Sequence, residues 1–250
     1  MKFAVITDIH GNAPALVAVL NEIDKRKDIK YIYCLGDMIA IGPDTNAVLE
    51  LLFSRDDISM ITGNHDEAVL ATIKDEPHPL SHPHVKEHHE WIAEGIHEKF
   101  IDKLDELPRF IRKDISGQSV LFTHYHVESN KVDAHISEDP FAPIVEPSPG
   151  NMEALFGPQD VDLICFGHHH PVHFFIGDRT TYLNPGSLGC AEDSVARYAV
   201  VTIEVNDIQV ELLEAEYDNT GFLMSYEALN VPTRDFILKA FHGDQLKGDE

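Results

Sequence analysis

The sequence has few basic residues, and this shortage disfavours some classes of partner. Only 19 Lys and Arg stand against 43 Asp and Glu, so the formal net charge at pH 7 is −24. Loose binding to nucleic acid or to an anionic membrane needs basic surface to neutralise phosphates, and this chain offers little of it. A phosphate-bearing substrate would need local positive charge, which bound metal could supply. Adaptation of the host to salt would also account for the acidity.

Cysteines and long apolar runs are scarce as well. Cys34, Cys165 and Cys190 are few and odd in number, and two of them lie in apolar runs, so we expect buried thiols in a reducing compartment. No run reaches the roughly 18 apolar residues of a membrane span, and the start of the chain has the pattern of a strand, not of a signal peptide. These absences predict a cytoplasmic protein.

Strand and helix patterns alternate in the first part of the chain. Apolar runs rich in β-branched residues occupy Phe3–Thr7, Tyr31–Leu35 and Ser59–Thr62. Between them, Ala13–Arg26 and Thr45–Phe53 carry apolar residues on one helical face. The order βαβαβ predicts a parallel sheet with helices on its faces.

A second set of strands is predicted further along the chain. Tyr198–Val205 and Ile208–Leu213 flank Asn206-Asp207, a good hairpin turn. Two strand sets of this kind predict a layered α/β sandwich. The other runs in this set are Ser119–Thr123, Val161–Phe166 and Thr180–Leu183.

Segment 74–100 interrupts this alternation. It begins rich in Pro and His and continues as a helical pattern through Trp91 and Ile96, so we interpret it as a cap-like insertion within a single domain spanning 1–250. Five of its histidines should be solvated, because coil broken by proline lacks a rigid scaffold, although one of them could contact a substrate phosphate. A further loop is predicted over Glu138–Gly150, and a helical region over Asp218–His242 with a charged, frayed tail. The five histidines are His78, His82, His84, His88 and His89.

Metal-capable side chains follow five of the predicted strands. Open α/β sheets bind ligands at the carboxyl ends of their strands, so these side chains should assemble one site from five loops. The donors mix hard oxygens with imidazole, which suits Mn, Fe, Zn or Ni better than Ca or Mg alone. Seven donors are too many for one ion but fit two ions if Asp37 bridges them. The seven are Asp8, His10, Asp37, Asn64, His124, His168 and His170.

The spacing within two motifs predicts which side chains share a direction. Successive residues of an extended chain point to opposite sides. Asp8 and His10 should therefore lie on one side of their segment. By the same rule His168 and His170 should point one way and His169 the other.

A pair of metal ions suggests a specific reaction. Two ions about 3.5–4 Å apart can share a hydroxide and clamp the oxygens of a phosphate. We expect the metal-bridging hydroxide to attack phosphorus in line, while an acid protonates the departing oxygen. His65 adjoins Asn64 and is the candidate acid, and Asp66 could orient it.

The ordered motifs resemble those of the calcineurin-like metallophosphoesterase superfamily. Its blocks DxH, GD, GNH[DE], a later His and GHxH are matched in order between Asp8 and His170. The stretches Asp8-Ile-His-Gly-Asn12, Gly42-Pro43-Asp44 and Asn184-Pro-Gly-Ser187 resemble its compact bacterial and archaeal branch, which includes small phosphodiesterases and diadenosine-tetraphosphatase-like proteins. The resemblance implies a four-layered αββα sandwich of two mixed sheets flanked by helices.

The resemblance also implies a role for each site residue. His65 would act on the leaving group as the general acid. One ion would be held by Asp8, His10, Asp37 and His170, and the other by Asp37, Asn64, His124 and His168.

Two positions depart from the pattern of that branch. Tyr125 stands where glycine usually follows the fourth-block histidine, and it could crowd the second ion. His126 could replace or assist His124, which we prefer because it directly follows the strand. His169 stands where Thr is common, and it should face outer groups or solvent. Asn184-Pro-Gly-Ser187 is equally a turn or a pocket wall. Asn12 is expected to be a helix N-cap, with contact to substrate as the alternative.

The predicted function is hydrolysis of phosphate esters, with diesters favoured over monoesters, by two divalent transition-metal ions such as manganese. A small capped pocket favours dinucleoside polyphosphates or cyclic nucleotides, and the charge of −24 argues against a nuclease. The alternatives are a phosphomonoesterase, a protein phosphatase, or a catalytically silent metal-binding regulatory module. The substrate class does not follow from such a site alone.

Overall fold

Two five-stranded sheets form the centre of the fold in the computed structural model, which describes residues 1–81, 83–205 and 207–247. In the first sheet the order is β10-β9-β1-β2-β3, and in the second it is β4-β5-β6-β8-β7. The strands are β1 (Lys2–Ile6), β2 (Ile32–Cys34), β3 (Ile58–Met60), β4 (Phe110–Ile115), β5 (Gln118–Thr123), β6 (Leu163–Cys165), β7 (His173–Ile176), β8 (Thr181–Asn184), β9 (Val195–Glu204) and β10 (Asp207–Glu216).

Helices cover the outer faces of both sheets. They are α1 (Ala13–Lys25), α2 (Thr45–Phe53), α3 (Asn64–Ile73), α4 (Lys86–Gly95), α5 (Ile101–Asp105), α6 (Pro149–Phe156), α7 (Thr220–Ala228) and α8 (Arg234–His242). Helix α1 has Pro14 in its first turn and follows Asn12, whose side chain accepts a hydrogen bond from the Ala15 amide. Asn12 is therefore the N-cap that the sequence predicts.

The alternation of side chains along the strands separates the layers. In β1, Phe3 and Val5 face the second sheet, while Ala4 and Ile6 pack against helices such as α1. The Tyr33 ring stacks on a ring of the second sheet with centroids 3.7 Å apart. The outer face of the second sheet packs on α6 through a separate apolar cluster. The predicted αββα sandwich is thus confirmed.

Parallel pairing brings the carboxyl ends of the central strands together. β1 pairs in parallel with β2, and β2 with β3. In the second sheet β5, β6 and β8 are also parallel neighbours. The loops that leave these strands therefore meet along one edge of the sandwich.

Several elements differ from the sequence-based expectation. β4 and β7 were not predicted, and α6 begins within the predicted loop Glu138–Gly150. The predicted helical region Asp218–His242 is two helices, because Pro232 lacks an amide donor and Thr233 has a left-handed φ of 57°. β9 and β10 form the predicted hairpin, but Asn206 lies outside the described residues, as do the last three residues of the tail. Within the described residues no helix is long and apolar enough to cross a membrane.

Candidate metal centre

The seven predicted ligands converge at the edge where the parallel strands end. Asp37, which follows β2, lies at the middle of the group. Its Oδ2 is 3.2 Å from Nε2 of His124 and 3.9 Å from Nε2 of His10. Asp37 belongs both to a cluster with Asp8 and His10 and to a cluster with His124 and His168, in each of which the ligand atoms lie within 4.8 Å of one another.

The first cluster surrounds Asp8, which is fully buried. Oδ1 of Asp8 lies 3.7 Å from Nε2 of His10 and 3.8 Å from Nε2 of His170. The two imidazole nitrogens are themselves 3.1 Å apart. His170 thus reaches the first cluster across the gap between the two sheets.

The second cluster is built around the side-chain oxygen of Asn64. This Oδ1 lies 2.7 Å from Nδ1 of His168 and 3.1 Å from Nε2 of His124. Nδ1 of His124 donates to the Leu35 carbonyl at 2.8 Å, so Nε2 is the ring nitrogen directed into the cluster. The orientation of His124 as a metal ligand is therefore already set, and Nε2 would bind an ion once it has lost its proton.

Burial and mutual charge set the pKa values of this site. Burial lowers the pKa of His10 to about 3, which keeps the ring neutral. Burial also lowers the pKa of His124, but the neighbouring Asp37 carboxylate outweighs it and raises the pKa to about 9. In turn, the His124 ring holds the pKa of Asp37 well below its usual range despite burial, whereas burial raises that of Asp8.

The backbone at four of the ligands is not extended, as the alternation of side chains assumed. Asp8, His10, Asp37 and His168 all have left-handed φ values, of 51°, 48°, 48° and 68°. The chain is therefore turned rather than extended at these positions, and alternation along an extended strand was the wrong reason for the convergence of Asp8 with His10. Tight turns at the strand ends direct both side chains into the site instead.

The loops are held in these turns by hydrogen bonds. The Asp8 carboxylate accepts from the Thr7 hydroxyl at 2.8 Å and from the His168 amide at 3.1 Å. Gly167 lies against the same carboxylate, since a Cβ there would sit 2.7 Å from Oδ2 of Asp8 and 2.0 Å from Oγ1 of Thr7. The position therefore admits only glycine without displacement of a ligand.

Asp66 does not have the contact that the sequence suggested. Its carboxylate accepts hydrogen bonds from the amides of Met38, Ile39 and Gly63, at 3.0, 3.2 and 2.9 Å. The prediction that Asp66 orients His65 was therefore wrong. Asp66 instead ties the loop after β2, which carries Asp37, to the start of α3.

His65 is held by histidines of segment 74–100. Its Nδ1 lies 2.8 Å from Nε2 of His89, and Nδ1 of His89 lies 2.8 Å from Nε2 of His78. His88 and His89 are each only 1% exposed, so the expectation that they are solvated was wrong. They are buried because α4 packs against α3. His84 is exposed as expected, and His82 lies outside the described residues.

The two departures from the family pattern lie beside the ligand clusters. The Tyr125 hydroxyl accepts a hydrogen bond from the Val145 amide, and its ring packs beside α6 with 5.0 Å to the His168 ring. His126 lines a cavity on the α6 side of the second sheet, and it is His124 that joins the ligand cluster. The His169 ring packs 4.8 Å from that of His173 and lies outside the ligand clusters found among the described residues.

Two further parts of the chain support the site: segment 184–187, which the sequence predicts to be either a turn or a pocket wall, and Cys190, which no sequence pattern singles out. Ser187 donates to the Asp8 carbonyl at 2.8 Å, and Asn184 donates to the His169 carbonyl at 2.6 Å. Segment 184–187 is thus a bracing turn. Cys190 has its sulfur within 4.8 Å of ring nitrogens of His10 and His170, and burial raises the pKa of its thiol well above the usual value. The signal for segment 184–187 was its position directly after a predicted strand, and Cys190 had no such signal.

The donor set fits divalent transition-metal ions. Asp8 and Asp37 are buried carboxylates, and no Lys or Arg in the described ranges comes within ion-pair distance of either. Two neighbouring buried carboxylates are unfavourable without Lys or Arg beside them, and metal ions would supply positive charge for both. Imidazole mixed with carboxylate and amide oxygen is a ligand set typical of Mn, Fe, Ni or Zn.

Comparison with known proteins finds one family and several relatives that match most of the chain. The family model for the calcineurin-like phosphoesterase superfamily domain matches residues 1–206. An uncharacterised protein of Methanocaldococcus jannaschii is 29% identical over 230 residues, covering 86% of this chain and 87% of the relative. The crystal structure of a hypothetical protein from Pyrococcus horikoshii superposes with a TM-score of 0.77 at 21% identity, over 97% of this chain and 98% of that one.

A more local similarity points to one named enzyme. A symmetrical bis(5'-nucleosyl)-tetraphosphatase of an Enterobacter species is 33% identical over 72 residues. The match covers 28% of this chain and 26% of that enzyme, so this chain aligns with about a quarter of the enzyme's length.

Proposed function

The chain belongs to the calcineurin-like phosphoesterase superfamily, and on that premise we propose that it hydrolyses phosphodiesters with a pair of divalent transition-metal ions. The observation that carries the proposal is the position of Asp37 in both ligand clusters. One carboxylate shared by two groups of donors is the arrangement that a dinuclear site requires.

Each cluster would hold one ion. Asp8, His10, Asp37 and His170 would hold the first ion, and Asp37, Asn64, His124 and His168 the second. When bound, the ions supply an activated water nucleophile and positive charge for the phosphate oxygens. The protein keeps the nitrogens of His10 and His124 directed into the site and excludes solvent, since both rings are buried.

His65 is the proposed general acid. Its amide donates to Oδ1 of Asp37 at 2.9 Å, and its ring lies edge-to-face against that of His10 with centroids 5.3 Å apart. The side chain therefore stands at the border of the first cluster. From there its ring can donate a proton to the oxygen that leaves phosphorus.

The surroundings of the second cluster favour a diester over a monoester. A cavity of about 350 Å³ opens there, with Asn64 and His168 in its wall and the Phe141 ring 6.4 Å from that of His168. The remaining described wall residues are chiefly apolar, and Asp139 is the charged residue among them. An uncharged organic group fits this cavity, whereas its described wall residues include no Lys or Arg to pair with the extra negative charge of a monoester.

We place a nucleotide among the candidate substrates. Support comes from the local similarity to the tetraphosphatase and from the size of the cavity, which suits a ring system. The net charge of −24 disfavours a long nucleic-acid strand.

The test uses metal-free protein to which Mn²⁺, Ni²⁺ or Zn²⁺ is restored singly. Hydrolysis of bis-p-nitrophenyl phosphate is compared with that of p-nitrophenyl phosphate, and bound metal is counted by mass spectrometry. We expect metal-dependent cleavage with the diester preferred, and loss of both cleavage and metal binding in Asp37→Asn. Asp105→Asn is the matched control, because Asp105 is exposed and pairs with Lys74, at the opposite end of α3 from Asn64.

Two results would contradict the proposal. Full metal binding without turnover of either ester would favour a catalytically silent module. A preference for the monoester would make the protein a phosphomonoesterase and remove the proposed role of the apolar cavity.

A further inference from the structure

We propose that His89 and His78, in segment 74–100, are positioning residues that hold the His65 ring for proton donation to the leaving group. This inference rests on the proposed function. Segment 74–100 would then orient a catalytic side chain, whereas its composition predicts only a cap over the site.

Three imidazoles form a continuous hydrogen-bonded chain. Nδ1 of His65 lies 2.8 Å from Nε2 of His89, and Nδ1 of His89 lies 2.8 Å from Nε2 of His78. Nδ1 of His78 lies 3.1 Å from the Pro79 carbonyl, which ends the chain. His65 lies in the first turn of α3, whereas the other two rings come from segment 74–100.

The carbonyl at the end of the chain fixes the tautomers. A carbonyl oxygen can only accept, so Nδ1 of His78 carries a hydrogen. When His78 is neutral, its Nε2 accepts from Nδ1–H of His89, and Nε2 of His89 accepts from Nδ1–H of His65. The hydrogen on Nδ1 of His65 is thereby held, and Nε2 becomes the nitrogen that transfers a proton.

The hydrogen-bonded chain suits His65 as a general acid, which must give up the proton on Nε2 and keep the hydrogen on Nδ1. The N–H bond at Nε2 of His65 breaks as the departing oxygen takes the proton and the P–O bond is cleaved. The ring is left neutral, with its remaining hydrogen on Nδ1 and bonded to His89. The chain therefore stabilises the tautomer that proton donation produces and fixes the ring plane beforehand.

The environment of His89 supports a positioning role. The residue is 1% exposed and lies on α4, which packs against α3, so its ring has little freedom to turn. The carboxylate of Asp66, the other candidate for this role, is fully engaged with three backbone amides. The hydrogen bond from Nδ1 of His65 to His89 is therefore the described contact that can orient its ring.

The test varies the leaving group. Methyl p-nitrophenyl phosphate has a leaving group that departs without a proton, whereas methyl phenyl phosphate needs one. We expect His89→Ala to lower kcat for the phenyl ester by about tenfold to a hundredfold and to leave the p-nitrophenyl ester within about twofold. His65→Ala should show the same selectivity, and the double variant should be no worse than His65→Ala alone.

Control variants separate positioning from folding. His84→Ala changes an exposed histidine of the same segment and should leave both esters unchanged. His89→Gln retains one donor and one acceptor and should recover part of the phenyl ester activity. If His89→Ala does not fold, His78→Ala gives the same comparison at a half-buried position.

The outcomes are distinguishable. An equal loss on both esters in His89→Ala, with metal content retained, would reduce His89 to a structural residue and overturn the inference. Unchanged kinetics on both esters would overturn it as well. If the wild-type protein hydrolyses neither ester with any metal, the proposed function fails first.

Discussion

Asp37 shows how much of the site depends on one side chain. Its Oδ1 accepts the His65 amide while its Oδ2 faces His124 and His10. The residue therefore connects the proposed acid with both ligand clusters. The position of the other ligand carboxylate, Asp8, depends on its neighbours Gly167 and Ser187, and substitutions at both can be tested.

Gly167→Ala should weaken metal binding. The added Cβ would meet Oγ1 of Thr7 and Oδ2 of Asp8 at 2.0 and 2.7 Å, so the Asp8 carboxylate must move. We expect an apparent Mn²⁺ affinity at least about tenfold lower, in line with the usual effect of disturbing groups around metal ligands. Calorimetric titration of the metal-free protein measures it.

Gly150→Ala is the control for that substitution. A Cβ at Gly150, near the start of α6, meets no atom within 4 Å. Equal Mn²⁺ affinities for Gly167→Ala and Gly150→Ala would show that the close approach to Asp8 has no consequence.

Ser187→Ala should destabilise the fold. The buried hydroxyl donates to the Asp8 carbonyl at 2.8 Å and accepts from the Cys190 amide at 2.9 Å, so its removal leaves two buried groups unpaired. The expected loss is about 1–3 kcal/mol in the free energy of unfolding, measured by urea denaturation. Ser54→Ala removes an exposed hydroxyl that bonds the Leu51 carbonyl and should cost less than about 0.5 kcal/mol.

At the scale of elements, α4 predicts a pH dependence of stability. The His88 ring stacks on Trp91, with centroids 5.9 Å apart, and burial lowers its pKa to about 4. The unfolded chain has a histidine pKa of about 6.5, so between about pH 6.5 and 4 the unfolded state binds a proton that the folded state does not. Stability should fall as the pH falls through this window.

His88→Phe should reduce that acid sensitivity. Phenylalanine keeps an aromatic ring beside Trp91 and has no proton to bind. The variant should lose less free energy of unfolding between pH 7 and pH 4, by up to about 3 kcal/mol at about 1.4 kcal/mol per unit of pKa. Burial also lowers the pKa of His173 and of His242 to about 4, so some pH dependence remains. Identical pH profiles for variant and wild type would contradict the assignment.

The elements that the sequence predicts well are those with strong local patterns. α1 and α2 were found within one residue of their predicted ends, because each has one apolar face and a polar residue before its start. β4 was missed because its residues Phe110–Ile115 are mostly charged or exposed, as suits an edge strand. α6 was missed because its first turn begins at Pro149, which resembles loop composition.

The sequence predicts the metal ligands of the site better than the residues that hold those ligands and His65 in place. The ligands were found because they follow strands, a relation that is visible in the sequence. The contact between His65 and His89 joins two segments whose relative placement depends on the packing of α4 against α3, and no local pattern encodes it. The same is true of Asp66, whose three amide contacts depend on a turn in another loop.

At the scale of the whole molecule, the net charge of −24 predicts a strong effect of salt. Acidic side chains greatly outnumber basic ones, so repulsion in the folded state should destabilise it at low ionic strength. Raising KCl from about 0.01 to about 1 M shortens the screening length from about 30 to about 3 Å. The urea midpoint of unfolding should rise over this range in metal-free protein, and a constant or falling midpoint would contradict this account.

The candidate centre also joins parts of the chain that are far apart in sequence. Asp8, Asp37 and Asn64 follow strands of one sheet, whereas His124 and His168 follow strands of the other. Metal ions held between these groups would act as a reversible cross-link between the two sheets. A chelator would then remove that cross-link without breaking a covalent bond, and the edge would be left to hydrogen bonds such as those from the His168 amide to Asp8 and from His124 to the Leu35 carbonyl.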